Sequence, residues 1–503
     1  MFIEVALFCI AIALLFGYWN VNQIYTIWLK CNIPFDKAQF PYGNIKDVGK
    51  KVHIFELTNN LYKKMKKEAP VAGFHVLTNA AVVVTDLDIV KKILVSDSNL
   101  FMDRGMYVNA SEDPLSCNMY NLDGAKYKAI HSKLMPMFSS EKIKLMFESM
   151  ELLADRLSNY LSEAIDGNPT DLNLQNILCC YSTDVMGKIF LGIDCNSLND
   201  ENAELQKISR KYLVKGRERG LKHFFRCTFQ ETAKRLNMTE TPKLVSDFFM
   251  QAIKTSIENR EKSKTRTNDL IDLLINLKNA GEMNENADEK SGSITVDEAI
   301  AQAYFFYVAG FETISTTLSL CLYEMCKTRE TQEILRRQIF QVFNHSSVKP
   351  NSDTINEIPY LDQVINETLR KHPSTPVAFR TATSDYKLSN TNMVIPMGTQ
   401  IMIPIYAIHH DDTIYTKPEV FNPDRFNKDN MKDEHPCSFI PFSCGPRACI
   451  GSKFAMMHLK ITLVNLLRRF RFSVGSKTPF PLKFDKKASI LCADDIWLTV
   501  ENV

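Results

Sequence analysis

The ten residues from Phe442 to Gly451, FSCGPRACIG, decide the fold and chemistry of this chain. They set Cys449 just ahead of a stretch, 452–470, whose apolar residues recur at helical spacing. The first N–H groups of that helix would point back to the sulfur and favour the thiolate. Gly445 permits a sharp turn, Phe442 can shield the sulfur, and Gly451 lets the helix begin close to a flat ligand. The run therefore predicts one thiolate presented to a metal cofactor.

Other kinds of site fit this run less well. A lone buried cysteine is usually inert packing. A zinc site needs several thiol or imidazole ligands at close spacing, and only Cys444 is near. A phosphate-binding loop fails because Ser452 precedes Lys453, which is the reverse of the required order.

The run fits the pattern F-x-x-G-x-R-x-C-x-G and so resembles the haem-ligand signature of the cytochromes P450. The resemblance implies haem b as cofactor, with Cys449 as the axial ligand of its iron. It implies the fold of that family, mainly α with a minor β region, behind an N-terminal membrane anchor. Phe442, Gly445 and Gly451 would then contact the cofactor. Cys444 occupies a variable position of the motif and is predicted to have no role.

Composition limits the remaining possibilities. The chain has 503 residues, of which 45% are hydrophobic, and this allows a large core. A net charge of +2 gives no strong indication of nucleic-acid binding. Thirteen cysteines, without paired spacing, favour a reducing compartment with free thiols.

The N-terminus predicts a retained membrane anchor. Val5–Phe16 is an uninterrupted apolar run, followed by Tyr18 and Trp19 in the manner of an interfacial belt. A cleaved signal peptide is the alternative, but no basic residue precedes the run and no cleavage site follows it. The first positive charges follow the run, which places the main domain in the cytosol. The predicted organisation is an anchor at 1–19, a linker at 20–44 and one domain at 45–503.

The rest of the chain reads as mostly helical. Two short strands are predicted around Phe74–Val76 and Val82–Val84, and helices from about Ser140 to Lys327. Asn279–Ser293 is polar and rich in helix breakers, which indicates a loop. Short strands and a meander are expected between Pro373 and Asn430.

A long helix is predicted from the capping box at Thr295 to about Lys327. Inside it stands AGFET, residues 309–313, which matches the oxygen-binding motif A-G-x-[DE]-T of the same family. The resemblance implies that Ala309 and Gly310 leave room above the cofactor. It also implies that Thr313 and Glu312 deliver protons during oxygen activation.

An acid and a base lie three residues apart in an apolar helix, at Glu367 and Arg370. A buried pair needs a further partner, and Arg425 in the run PDRF can supply it. The family's E-x-x-R and P-x-R-F elements imply a structural lock formed by these three residues.

Four residues match the family's positions that hold the haem propionates. Tyr127 and His131 stand where the family usually has Trp and Arg, so one contact loses charge near neutral pH. Arg380 and Arg447 match the other two positions.

Other segments fall where the family builds its substrate pocket and its membrane face. Phe305, Phe306 and Phe311 are expected in the pocket with segments 99–122 and 489–494, and an aromatic pocket selects lipophilic molecules.

Arg210–Arg226 mixes basic and aromatic residues, which fits nucleic acid less well than a membrane-facing surface.

The sequence thus predicts a monooxygenase that oxidises lipophilic small molecules with O2. The stretches YLDQVINETLR and PIYAIHHD look like those of the insect microsomal branch, which implies the endoplasmic reticulum and xenobiotic substrates. The chain has no flavin or nicotinamide fold, so electrons from NADPH would come from a separate reductase or from cytochrome b5. Exposed lysines would form the docking face: Lys126, Lys128, Lys133 and Lys453. The alternatives are a hormone or fatty-acid substrate, a peroxide-rearranging enzyme and a haem binder without turnover.

Overall fold

The computed structural model describes residue 17 and residues 22–200, 202–214, 220–263, 269–279, 294–343, 350–430, 434–493 and 495–503. The predicted anchor at Val5–Phe16 lies outside the described residues, and so does all but the first residue of the predicted loop Asn279–Ser293.

Helices make up most of the described chain. In chain order they are α1 Ile27–Lys30, α2 Ile54–Met65, α3 Leu87–Lys91, α4 Gly124–Leu134, α5 Ser140–Ile165, α6 Leu174–Met186, α7 Glu204–Ile208, α8 Leu221–Thr228, α9 Gln230–Arg235, α10 Lys243–Ser263, α11 Leu270–Asn279, α12 Val296–Lys327, α13 Arg329–Val342, α14 Ser352–Ile355, α15 Pro359–Lys371, α16 Ile405–His409 and α17 Ser452–Arg469. Short 3₁₀ or π-helical turns lie between several of them.

The strands form three small sheets. They are β1 Val71–Val76, β2 Asn79–Val84, β3 Thr170–Asn173, β4 Ala378–Thr381, β5 Tyr386–Lys387, β6 Val394–Ile395, β7 Gln400–Ile403, β8 Phe470–Val474 and β9 Trp497–Asn502. The largest sheet has the order β1-β2-β7-β4, and only the β2–β7 pair in it is parallel. The other two sheets pair β3-β9-β8 and β5-β6. The predicted mainly helical fold with a minor sheet is confirmed.

The interior consists of two apolar clusters, one among the helices and one around the four-stranded sheet. Helix α12 is the centre of the first cluster and packs against α6, α10, α15 and α17. It begins as predicted: the Thr295 hydroxyl accepts from the Glu298 N–H at 3.1 Å, and the Glu298 carboxylate accepts from the Thr295 N–H at 2.9 Å. By length and composition α12 could cross a membrane, but most of it is buried inside the protein, as expected of a core helix.

Part of the segment predicted as a linker packs on the sheet. Trp28 is fully buried and donates its indole N–H to the Phe74 carbonyl at 3.2 Å. A side chain at Gly73 would lie 2.7 Å from the Trp28 ring, so only glycine allows this contact. The sheet cluster therefore includes residues that precede the boundary expected at residue 45.

Two buried histidines of the helical cluster differ in their partners. His458 on α17 is fully buried, and neither ring nitrogen has a hydrogen-bond partner among the described residues. His372 also lies in the interior, but its Nε2 is 2.9 Å from a carboxylate oxygen of Glu324. Burial alone lowers the pKa of His458 to about 3.

We expect the substitution His458→Leu to stabilise the protein, because it removes a buried polar ring that has lost its hydrogen bonds to water. The expected gain in the free energy of unfolding is about 1–3 kcal/mol, measured as a rise in the thermal midpoint. His372→Leu is the matched control and should lower the midpoint, since Glu324 then loses a buried donor. A lower midpoint for His458→Leu would contradict this account.

The same histidine predicts a pH dependence. Its pKa is about 3 when folded and 6.5 in an exposed state, so between these values only the unfolded chain binds the proton. The protein therefore loses stability as the pH falls below 6.5, by at most about 1.4 kcal/mol per pH unit. The gain from His458→Leu should be larger at pH 5.5 than at pH 7.5, and an equal gain at both would refute the assignment.

Candidate active site

The loop that carries Cys449 is closed by its own backbone. The Cys449 N–H donates to the Phe442 carbonyl at 2.9 Å, and the Ala448 N–H donates to the Gly445 carbonyl at 3.0 Å. Gly445 has φ +75°, and a side chain there would lie 1.8 Å from the Leu94 carbonyl oxygen. Both the backbone angle and the close approach thus require glycine.

The Cys449 side chain lies in the interior but lines open space. It is exposed by surface area, yet burial among protein atoms raises the pKa of its thiol. These two facts describe a side chain that faces an internal cavity rather than the outer surface. The Gly451 N–H, at the start of α17, and the positive charge of Arg104 act in the opposite direction and favour the thiolate.

Helix α12 presents a half-exposed strip although most of the helix is buried. Ala309, Glu312 and Thr313 belong to this strip. The Thr313 hydroxyl donates to the Ala309 carbonyl at 2.7 Å, which leaves its oxygen free to accept. The helix that carries this strip packs against α17, the helix that follows the cysteine loop.

Gly310 has a packing role in addition to the one predicted for it. A side chain at Gly310 would lie 2.0 Å from the terminal methyl group of Met186. The absent side chain therefore makes room for α6, which packs closely on α12. Ala309 and Gly310 are both partly exposed, and Gly310 adjoins the strip.

The three phenylalanines predicted in the pocket separate into two groups. Phe305 is half-buried, and its ring centroid lies 6.0 Å from that of Tyr120. Phe306 is buried against Phe138, and Phe311 is fully buried. Phe311 stacks on a tyrosine of its own helix, so it is a core residue and the prediction for it is corrected.

The predicted lock is assembled in the interior. Glu367 and Arg370 are fully buried, and their two hydrogen bonds measure 2.7 and 2.8 Å. Arg425 approaches the same carboxylate at 3.4 Å, and the Asn422 N–H donates to it at 2.8 Å. The remaining Arg370 N–H groups donate to the His409 and Pro418 carbonyls. Both charges therefore have several partners, which a buried ion pair requires.

His409 connects this lock to the cysteine loop. Its carbonyl accepts from Arg370 at 2.9 Å, and its Nε2 accepts from the Ile440 N–H at 3.0 Å, two residues before Phe442. Burial and the Arg370 charge lower the pKa of His409 to about 3, so the ring stays neutral and can accept. The role of His409 as a link depends on the tertiary structure, because its two partners lie in other segments.

A cluster of arginines lies beside the loop. Arg380, on β4, is 2% exposed, and it donates to the Phe379 carbonyl at 2.8 Å and lies 3.5 Å from the Ser443 hydroxyl. No carboxylate lies within ion-pair distance of it in the part of the chain that the structure describes. Burial, then the charges of Arg104 and Arg447, lower its pKa to about 9. This buried cation with uncommitted N–H groups fits an anionic ligand.

Arg447 is mainly held by the protein itself. It donates to the carbonyls of Met102 at 2.7 Å, Met119 at 3.2 Å and Leu122 at 2.5 Å, and it lies 3.2 Å from Asp123. These bonds tie the segment 102–123 to the cysteine loop.

Of the two residues that replace the usual Trp and Arg, Tyr127 differs from the expectation. The Tyr127 hydroxyl donates to the Pro446 carbonyl at 2.8 Å, so its proton is not free for a propionate. Its ring instead supports the Arg447 guanidinium, 3.4 Å from the ring centroid. Burial and then the Arg447 charge lower the pKa of His131, in the direction that disfavours its charged form.

Sequence reasoning missed Arg104. Its guanidinium donates to the Tyr120 carbonyl at 2.9 Å and lies 4.1 Å from the centroid of the Tyr120 ring. Its charge acts on Cys449, Arg380 and Arg447. No motif marks it, although the segment 99–122 was assigned to the pocket. A cysteine that faces a cavity beside several arginines has the surroundings that a haem-thiolate site requires.

Comparisons with known proteins give the family. A family model described as Cytochrome P450 matches residues 35–495. Probable cytochrome P450 6a14 of Drosophila melanogaster is 36% identical, covering 96% of both chains. Cytochrome P450 6a8 of the same fly is 35% identical over 99% of both chains. Cytochrome P450 6A1 of Musca domestica is 34% identical, covering 95% of this chain and 93% of that one. This chain belongs to the cytochrome P450 family and is an oxidoreductase of the monooxygenase type with haem as its cofactor.

We expect Glu367→Gln to destabilise the protein by about 3–5 kcal/mol, because Arg370 would remain buried without a compensating charge. The thermal midpoint and the yield of haem-loaded protein should both fall. Glu333→Gln is the control: that carboxylate pairs with Arg471 at 2.9 Å, and both side chains are more than a third exposed. Its loss should cost about 0–1 kcal/mol. Equal effects of the two substitutions would contradict the lock.

We expect Arg104→Gln to speed the loss of haem roughly tenfold to a hundredfold. This is the change in rate that corresponds to losing the free energy of one hydrogen bond to a charged group. Haem transfer to an excess of apomyoglobin measures the rate. Arg156→Gln, which alters an exposed pair with Asp194, is the control and should leave the rate unchanged. An unchanged rate for Arg104→Gln would remove this residue from the cofactor site.

Proposed function

We propose that this protein is a haem-thiolate monooxygenase that inserts one oxygen atom from O2 into lipophilic small molecules, with electrons delivered from NADPH by a reductase. The observation that carries the proposal is the Cys449 thiol, which faces an interior cavity at the start of α17. When bound there, haem supplies an iron that activates oxygen. The other tasks fall to side chains of this chain.

Holding the cofactor is assigned to Cys449 and the arginines. Cys449 would ligate the iron, with the Gly451 N–H donating to its sulfur. Arg380 and Arg104 would bind the propionates, because both retain N–H groups without an acidic partner among the described residues. Arg447 positions the segment 102–123 and adds positive charge, and Tyr127 orients Arg447. His131, whose pKa is lowered by burial, would contribute one hydrogen bond.

Moving protons is assigned to α12. The Thr313 hydroxyl can accept a proton from water and pass its own on, since it already bonds the Ala309 carbonyl and can exchange this partner. Glu312, half-exposed one residue earlier, would relay protons to it. Phe442 is partly buried in the helical cluster beside the loop and would keep water from the sulfur.

The substrate class follows from apolar surroundings and from relatives. Phe305 lies one helical turn before Ala309, and its ring is 6.0 Å from that of Tyr120. The resemblance of this sequence to the insect microsomal branch favours xenobiotics such as plant toxins or insecticides as the first candidates. An endogenous hormone or fatty acid would present the same apolar surface and remains the alternative substrate.

Partners and location rest on charge and on the N-terminal sequence. Three lysines are exposed: Lys126 and Lys128 on α4, and Lys453 at the start of α17. Lys453 follows Cys449 by four residues. This basic face would dock an acidic reductase, or cytochrome b5, beside the thiolate. The apolar Val5–Phe16 would anchor the domain on the cytosolic face of the endoplasmic reticulum, where lipophilic compounds partition.

The decisive experiment uses the full chain reconstituted in lipid vesicles with NADPH–cytochrome P450 reductase. The reduced, carbon-monoxide-bound protein should show the absorption of a thiolate ligand, and a panel of plant toxins and insecticides should give products that contain one atom from labelled O2. A histidine-type spectrum would exclude Cys449 as ligand. Equal turnover without reductase would favour a peroxide-rearranging enzyme, and a thiolate spectrum without any product would favour a non-catalytic haem binder.

We expect Thr313→Ala to lower the product formed per NADPH consumed by roughly tenfold, because general acid catalysis typically contributes 10²–10⁴ and water can replace part of it. Thr317→Ala is the matched control. Its hydroxyl also donates to a carbonyl four residues earlier, at 2.7 Å, but it is buried against Ser374. An unchanged ratio for Thr313→Ala would contradict its role in proton delivery.

A further inference from the structure

Two cysteines outside the haem site lie in contact. The sulfur atoms of Cys437 and Cys444 are 4.0 Å apart, and both residues are free thiols. Cys437 is 2% exposed and Cys444 is half-buried, both at the edge of the sheet cluster. A disulfide places its sulfurs about 2.05 Å apart, so the two atoms would need to approach by only about 2 Å.

The surroundings make the two thiols unequal. A hydrogen bond from Cys437 lowers the pKa of Cys444, and the positive charge of Arg380 lowers it further. The same hydrogen bond, together with burial, raises the pKa of Cys437. The opposite directions of the two pKa shifts favour Cys444 as the attacking cysteine and Cys437 as the resolving one. By comparison, burial raises the pKa of Cys321 to about 12.

We propose that Cys437 and Cys444 form a dithiol site for reversible oxidation by hydroperoxides. The Cys444 thiolate attacks one peroxide oxygen, the O–O bond breaks, and the leaving oxygen takes up a proton, which leaves Cys444 as a sulfenic acid. Cys437 sulfur then attacks the Cys444 sulfur, the S–O bond breaks, and the departing hydroxide leaves as water with the Cys437 proton. The sum is one hydroperoxide and two thiols giving one disulfide, one alcohol or water, and one water.

The position of the pair gives such a reaction a consequence for the loop. Cys444 lies between Ser443, with φ +58°, and Gly445, which fits against the Leu94 carbonyl. A bond to Cys437 would fasten this turn to the preceding one, in the loop that ends at Cys449. The chain therefore has a route by which an oxidant can act near the cofactor site without touching Cys449.

The test uses the purified full-length, haem-loaded protein treated with equimolar hydrogen peroxide. Trypsin cuts after Lys432 and Arg447, so both cysteines fall on the peptide 433–447, whereas Cys449 does not. We expect the mass of this peptide to fall by two hydrogens, as a disulfide forms, at a rate at least ten times that of Cys321 oxidation. Dithiothreitol should restore the original mass. The readout involves neither haem nor turnover, so its failure is distinct from failure of the proposed function.

Two variants complete the test. In Cys437→Ser, the sulfenic acid on Cys444 should accumulate and be trapped by dimedone; in Cys444→Ser, Cys437 should stay a thiol. Thermal midpoints confirm that both variants fold. The proposal is overturned if the wild-type peptide keeps both thiols, if Cys321 reacts as fast, or if Cys444 in Cys437→Ser does not react.

Discussion

The buried pair of Glu367 and Arg370 is the interaction on which the site depends. Two full charges inside a protein are stable only when every donor and acceptor finds a partner. Arg370 donates hydrogen bonds to the His409 and Pro418 carbonyls, which belong to segments distant from it in the sequence. His409 in turn holds the Ile440 N–H. A single ion pair thereby fixes the direction in which the cysteine loop enters the core.

A second constraint acts on the other side of the loop. Arg447 binds three carbonyls of the segment 102–123, and Tyr127 lies against its guanidinium. Three acceptors of Arg447 are neutral carbonyls and one is the Asp123 carboxylate, 3.2 Å away, while Arg380 and Arg104 add two more cations nearby. Repulsion between these cations raises the free energy of the folded protein, and an anionic cofactor would offset that repulsion. Arg447 thus supports the loop, whereas Arg380 and Arg104 keep N–H groups for a ligand.

Much of this was predictable from the sequence, because some signals are local. The capping box of α12, the start of α17 and the three residues of the lock depend on spacing along the chain, and each is found where it was expected. The prediction that Phe311 lines the pocket was wrong, and at Gly310 the structure adds a packing contact that the motif does not show. Both residues stand beside a motif, but the side of α12 that each occupies is set by neighbouring helices, with Met186 filling the space at Gly310.

The sequence by itself determined the family and the mainly helical fold and singled out Cys449, since these depend on residue types at fixed spacing. Only the tertiary structure decided that Arg104 joins Arg380, that the Tyr127 hydroxyl is taken by Pro446, that His409 links the lock to the loop, and that Cys444 meets Cys437. Each of these is a contact between residues from separate segments or from either side of a turn. Burial and charge at such contacts arise from the packing of the whole chain, and no local pattern encodes them.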